Sequence, residues 1–420
     1  MNKTPTIVAV TVALSLLSAA ALSTEVSLTG EPRINRTVLQ PGTLLSDLMT
    51  LPTDHTVTDV DPGVAPEGDY MGFSAFTRDG NRILLTNRMT DNVTVFDWAT
   101  QSVITNIHVG SYPGGIACTD SFAVITLGFV DSVVVMRLSD YSIAARLASG
   151  TQPWVVRISP DQHKAYVACD ISNTCEVYDL QNLTHARTIP NFPIFLSTYS
   201  WNSENGRNSF TFSDFKPTPD GSHLILPYAD SIFFYDVATG ACDDTILGLH
   251  LCRFVEFSGD STKFVTCGET DPATAWQIDV ATHEVTDTVV ITGHTLSTFE
   301  TAVNMDGAKA YFGVSNNQSV LVKFETGDFV TYTSTYTAFW VGASPDHTRA
   351  ISAQYNFSII DFETEAMLGQ HSGNSQSVGA VSGVGNRAVG FDPHRNEGLY
   401  FYDYTTPGPG HVPGQHAGRP

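Results

Sequence analysis

The chain has 420 residues, 42% of them hydrophobic and 15% charged, and its 43 acidic against 21 basic residues leave a formal charge of −22. Such a field repels nucleic acid and anionic lipid, so neither is expected as a partner. The length exceeds an ordinary single core unless the core is divided among repeats, and six cysteines are too sparse to be the main support of so long a chain.

At the N-terminus Lys3 is followed by an apolar run over residues 7–17 and then by Ser18, Ala19, Ala20 and Ala21. This is the charged start, short apolar middle and small-residue exit of a secretory signal. Residues 1–23 are therefore expected to be a signal peptide, and the chain is expected to be secreted, periplasmic or at the cell surface. The run of about 11 residues falls short of the roughly 20 that span a bilayer. No later segment is uninterrupted for that length, so no membrane span is expected after processing. The Thr-rich stretch 24–54, with Pro32 and Pro41, reads as an N-terminal arm.

From residue 55 a repeat begins, and it is clearest over residues 151–189, TQPWVVRISPDQHKAYVACDISNTCEVYDLQNLTHARTI. Four short apolar runs rich in β-branched and aromatic residues are separated there by polar turns, the pattern of four antiparallel strands joined by hairpins. Variants of this unit recur, and they are best counted where the third run ends: Asp97, Asp179, Asp236, Asp279, Asp361 and Asp403, with Arg137 and Lys323 at the same place in two divergent copies. Spacings near 40 to 45 residues suit a four-stranded propeller blade. An all-β propeller over residues 55–404 is thus predicted, with eight blades, or seven if the second or sixth copy is absorbed elsewhere.

The interval between Asp179 and Asp236 is longer than the others and holds a polar insertion at 199–208, YSWNSENGRN, expected to be an exposed loop. A lone strand near Thr56 to Val60 precedes the first unit, and the last unit has three strands. The two are expected to pair and close the ring. Residues 405–420, rich in Pro and Gly, read as an unfolded tail.

Polar turns mark each hairpin between first and second strands: RDGN, SPDQ, TPDG, SGDS, MDGA and SPDH. Pro before Asp, followed by Gly or a polar residue, is type I turn chemistry, so these motifs are folding signals. The Asp residues ending the third strands are likewise expected to bond backbone amides ahead of them.

The segments LLTNRMTDNVTVFD at 84–97 and YVACDISNTCEVYD at 166–179 resemble the repeat of the YVTN family of β-propellers, as do the linking loops VGSYPGGIA and SGTQPWVVRISPD. The resemblance implies an exported or surface-exposed propeller with lactonase-like enzymes among its relatives. The repeat motif itself maintains the fold and carries no catalytic residue.

Motifs of chemistry are missing from the sequence. There is no Gly-x-Ser-x-Gly elbow, His283-Glu284 lacks a second histidine four residues on, and there is no Cys-x-x-Cys pair or Asp-x-Asp-x-Asp-Gly loop. No cofactor and no metal are expected. One constellation stands out, because Arg157, Asp214, Lys216, Glu256 and Glu300 fall four or six residues before hairpin turns, on what should be first strands at the centre of the ring. With a period of two they share one parity and should point the same way, either pairing around a wet channel or binding a polar ligand. Tyr112, Trp154, Trp340 and His294 lie in or near the loops feeding those strands and could floor such a pocket.

Cys169 and Cys175 flank the short loop DISNT and are expected to form a disulfide. The function expected from all this is a protein- or polysaccharide-binding or scaffold propeller. A lactonase-like hydrolase acting at the central channel is the alternative.

Overall fold

Side chains set the turns that shape every sheet. In six hairpins a short polar residue stands two before an aspartate, as Ser159 does before Asp161. The Ser159 hydroxyl donates to Asp161 Oδ1 at 2.6 Å and accepts the Lys164 amide at 2.9 Å, while Asp161 Oδ1 also accepts the His163 amide at 3.0 Å. The same arrangement recurs at Thr77 and Asp79, Thr218 and Asp220, Ser258 and Asp260, Asn304 and Asp306, and Ser344 and Asp346. The residue after each aspartate has positive φ, namely Gly80, Gln162, Gly221, Ser261, Gly307 and His347, the left-handed step that follows a type I turn in a hairpin. The third-strand aspartates also act as expected. Asp97, Asp179, Asp236, Asp279 and Asp361 accept amides two or three residues ahead.

The computed structural model describes residues 56–60, 71–194, 200–202, 207–209, 214–252, 254–268, 271–296, 300–315, 317–333, 340–353, 356–372, 378–391 and 399–403. The expected signal peptide, arm and tail lie outside these residues. The described chain is all strand and turn, and none of it forms a helix long and apolar enough to cross a membrane. It contains eight four-stranded antiparallel sheets, spanning residues 71–108, 113–148, 153–190, 216–247, 256–291, 302–333, 340–372 and 378–403, numbered here first to eighth. Seven run through their four strands in sequence order. In the eighth, Thr56–Val60 supplies the outer strand and pairs with Leu399–Asp403, Thr56 opposite Asp403 and Val60 opposite Leu399.

First strands of successive sheets adjoin: first to second, second to third, third to fourth, fifth to sixth, sixth to seventh, seventh to eighth, and eighth back to first. Between the fourth and fifth sheets the link is an ion pair, Lys216 with Glu256, backed by an apolar layer containing Phe234, Phe264 and Ile278. Fourth strands are the exposed edge, as in Ser102–His108 with its alternation of exposed and half-buried residues. The hydrophobic core is accordingly divided into layers, each shared by two neighbouring sheets. The first and eighth sheets share one as well, through Phe96, Trp98, Val389 and Phe401. This is a propeller-like arrangement, in which each sheet hides both faces on its neighbours.

Two expectations are corrected. Within the insertion, where a loop was expected, Ser200–Asn202 and Arg207–Ser209 pair as a two-stranded sheet of their own. Cys169 and Cys175 are free thiols. Cross-strand partners are Cys175 with Ala168 and Cys169 with Thr174, one residue out of the register a bridge needs. Because side chains alternate along a strand, that offset sends the two sulfurs to opposite faces. Cys169 enters the layer between the second and third sheets, and Cys175 the layer between the third and fourth. Burial pushes the Cys169 thiol up to about 12, and Cys175 is raised for the same reason, so neither is poised to react.

Candidate functional site

Cross-strand register defines one equivalent position on each first strand, two residues before the first residue of the hairpin. Round the eight sheets it is occupied by Ala75, Ala117, Arg157, Lys216, Glu256, Ala302, Gly342 and Ala380, facing Leu84, Val124, Tyr166, Ile225, Val265, Tyr311, Ile351 and Val389. Five of these positions are small, and the three charged ones are consecutive. Asp214 and Glu300 stand two residues before Lys216 and Ala302, so alternation puts them on the same side as the charges.

All five predicted charges meet there. Arg157 donates to Asp214 Oδ2 at 2.5 Å, and Lys216 pairs with Glu256. Asp214 is only 1% exposed, and its second oxygen has no hydrogen-bond partner among the described residues. Burial works against the charge on Arg157, but Asp214 and then Glu300 and Glu256 outweigh it and raise its pKa. Lys216 is also raised, with burial opposed by Glu256, Asp214 and Glu300. Glu300 is pushed up to about 7, chiefly by burial, with Lys216 and Arg157 pulling it down and Asp214 and Glu256 pushing it up. Arg157, Lys216 and Glu256 nevertheless keep 29%, 22% and 25% of their side-chain surface accessible. Groups enclosed by protein yet partly accessible to solvent face a reduced desolvation cost.

The chemistry available to this group is limited by its pairing. Two cations hold two carboxylates, and Glu300 near neutrality can hold or release a proton. No hydroxyl, thiol or imidazole is among the five.

His294, predicted near them, does not join them. Its carbonyl accepts the Ala273 amide at 2.7 Å and its ring meets Phe329 edge-on at 6.0 Å, between the fifth and sixth sheets. Its Nδ1 is buried without a hydrogen-bond partner among the described residues. Its place before the sixth sheet suggested the channel, but the cross-strand contacts tie it to the third strand of the fifth sheet instead.

Tyr112 and Trp154 form a separate cluster around Arg88, which sequence reasoning missed. The Arg88 guanidinium lies 4.8 Å from the Trp154 ring, 5.7 Å from Phe73 and 5.8 Å from Tyr112, and Tyr112 stacks on Phe129 at 4.0 Å. Burial lowers the Arg88 pKa, opposed by Tyr112. Rings around an arginine are cation–π packing, and the residue carrying it follows the Thr-Asn of the first unit's second strand, where only the tertiary structure shows what it touches. Trp340 begins the strand Trp340–Ala343 opposite Ala353, and only its backbone belongs to the described structure.

No family model matches the chain, and no curated protein matches it. Among solved structures, it superimposes on a chain of the structure titled Kuenenia stuttgartiensis Hydrazine Synthase with a TM-score of 0.53 and 18% identity, over 72% of this chain and 98% of that one. At that identity the likeness is one of fold alone.

Proposed function

We propose that the eight sheets are the blades of one closed propeller of the YVTN kind, exported from the cell, and that the ring is a binding or scaffold module for an extracellular protein or polysaccharide. Ring closure rests on the adjoining first strands and on the outer strand that Thr56–Val60 lends to the last sheet. One observation carries the functional reading. The inner charges, the strongest candidates for chemistry, are committed to each other as Arg157 with Asp214 and Lys216 with Glu256, and His294 lies elsewhere. Mutual pairing is what a wet structural channel needs, whereas a hydrolase needs a nucleophile or a water-activating base free to act.

A hydrolase of the lactonase-like kind is the second reading, favoured by Glu300 alone. A carboxyl group pushed up to about 7 can give and take protons at neutral pH.

Purified full-length protein, immobilised and exposed to extracellular proteins and polysaccharides, is expected to retain a specific partner. Replacing residues 199–208 by a short Gly-Ser turn is expected to abolish that retention. Alongside, turnover of a lactone panel that vanished in Glu300→Gln would establish the hydrolase and overturn the scaffold reading.

A further inference from the structure

The eight sheets are internal controls for one another, and at one corner the fourth carries a combination that none of the others has. The first residue of each second strand lies opposite the last residue of the third. In five sheets this cross-strand pair is a cation facing an aspartate: Arg82 with Asp97, Lys164 with Asp179, Lys263 with Asp279, Arg349 with Asp361 and Arg387 with Asp403. In the fifth sheet it closes as an ion pair of 2.7 Å. The second and sixth sheets lack the aspartate, with Phe122 facing Arg137 and Lys309 facing Lys323, whereas in the fourth sheet the aspartate is kept, as Asp236, but the residue opposite it is His223.

A second departure lies beside the first. Six of the sheets have a bulge where the third strand meets the fourth, leaving one residue of the fourth strand without a register partner. That residue is Ile104, Ala144, Ala186, Thr286 or Leu368 in the first, second, third, fifth and seventh sheets, and in the fourth it is Asp243. Bulges re-aim side chains, and here the bulge delivers a carboxylate to the histidine, with His223 Nε2 3.2 Å from Asp243 Oδ2. One ligand atom from each of His223, Asp236 and Asp243 lies within 4.8 Å of the others.

The surroundings hold the imidazole as a ligand is held. Ser222 Oγ, itself bonded to Asp220, meets His223 Nδ1 at 2.8 Å, which fixes the ring and leaves Nε2 for the two carboxylates. From the fifth sheet, His283 packs edge-on against His223 with ring centroids 6.0 Å apart, and its Nδ1 lies 2.6 Å from Asp244 Oδ2. Where six of its sister sheets place a lysine or arginine, this corner therefore offers one imidazole and two carboxylates, a charge of −2 when the histidine is neutral.

We infer that His223, Asp236 and Asp243 form a binding site for a divalent first-row transition-metal ion, which takes the place that lysine or arginine holds in six of the other seven sheets. One nitrogen and two oxygen donors suit Zn2+ or Mn2+, with water completing the shell. An ion that prefers oxygen donors alone, such as Ca2+, has no use for the imidazole. The site is on the periphery of the fourth sheet and independent of the inner charges.

The test is titration of the full chain with Zn2+ at neutral pH in a non-chelating buffer, with Ca2+ in parallel and Co2+ absorption as a report on the ligands. Two variants discriminate. His223→Lys restores the residue type of the sister sheets and so keeps the corner paired and folded, and Asp243→Ala removes a half-exposed side chain on a bulge. Each is expected to weaken Zn2+ binding by roughly 10- to 100-fold and to abolish a Co2+ spectrum of mixed nitrogen and oxygen ligation, with the thermal midpoint unchanged. Zn2+ affinity unaltered in both variants would overturn the inference, as would binding lost on replacing the exposed thiol beside Asp243, Cys242→Ser, but kept in His223→Lys, or wild type that binds Zn2+ no better than His223→Lys.

Discussion

In the first three sheets the first strand is six residues long, Met71–Phe76, Pro113–Cys118 and Pro153–Ile158, whereas in the fourth, fifth and sixth it shrinks to Lys216–Pro217, Glu256–Phe257 and Ala302–Val303. The long strands approach each other through glycine. A Cβ on Gly115 would lie 2.2 Å from the Trp154 carbonyl oxygen, and one on Gly72 would lie 3.3 Å from the Pro113 carbonyl oxygen. The short ones carry charge, with Asp214, Lys216, Glu256 and Glu300 on or just before them. First-strand contacts among the first three sheets are therefore backbone against backbone, and those from the third to the fifth are ion against ion. Arg157 lies at the junction, on a long strand but paired to a carboxylate from the short-strand side.

The largest effect should come from that junction. Arg157→Met leaves Asp214, 1% exposed, as an uncompensated buried charge, and is expected to cost about 3 kcal/mol in urea unfolding. Adding Asp214→Leu should recover most of the loss. A double variant as unstable as the single one would show that the pair does not join the two sets of strands. Where backbone meets backbone, Gly115→Ala is expected to cost about 2–3 kcal/mol, because the obstacle is backbone and cannot turn aside. An unchanged urea midpoint would show that the long strands have room to spare.

Among the charged first strands, Glu300 supplies a pH dependence with a defined sign. Its folded pKa of about 7 lies above the ordinary 4.5, so the folded state holds the proton more tightly. Stability from this group is therefore greatest below pH 4.5 and declines as pH rises towards 7. Glu300→Gln should remove that decline and stabilise the protein at pH 8 by about 1–2 kcal/mol. Thermal melts of both proteins from pH 4 to pH 8 check this, and parallel curves would refute it. The smallest effect should be common to both sets of strands. Ser159→Ala, which removes one hairpin hydroxyl, is expected to cost about 1 kcal/mol, and Ser258→Ala about the same, as read from their urea midpoints.

What was legible in the sequence was what is local. The hairpin aspartates and the Asp that ends each third strand act within five residues of themselves, so their spacing revealed the repeat. Alternation with a period of two also sufficed to bring Arg157, Asp214, Lys216, Glu256 and Glu300 to one place, because each was counted from a turn whose position was certain. Where register had to be known to a single residue, reading failed, and Cys169 and Cys175 went to opposite faces. His294 was misplaced because its carbonyl is bound by the amide of Ala273, on the third strand of the fifth sheet. Arg88 and the corner at His223 gain their meaning from neighbours in other strands, and no short motif records such neighbours.

The pairing of Thr56–Val60 with Leu399–Asp403 also sets how the molecule should respond to tension. Thr56 faces Asp403 and Val60 faces Leu399, so the chain arriving at Thr56 and the chain leaving Asp403 emerge side by side at one end of the ladder. A pull between them loads the interstrand bonds one pair after another, as a zip fastener opens, instead of shearing all of them together. A protein tethered at one end and tugged at the other would part first at this seam, at low force and in steps. The other seven sheets, each made from one continuous run of chain, would still be folded when it did.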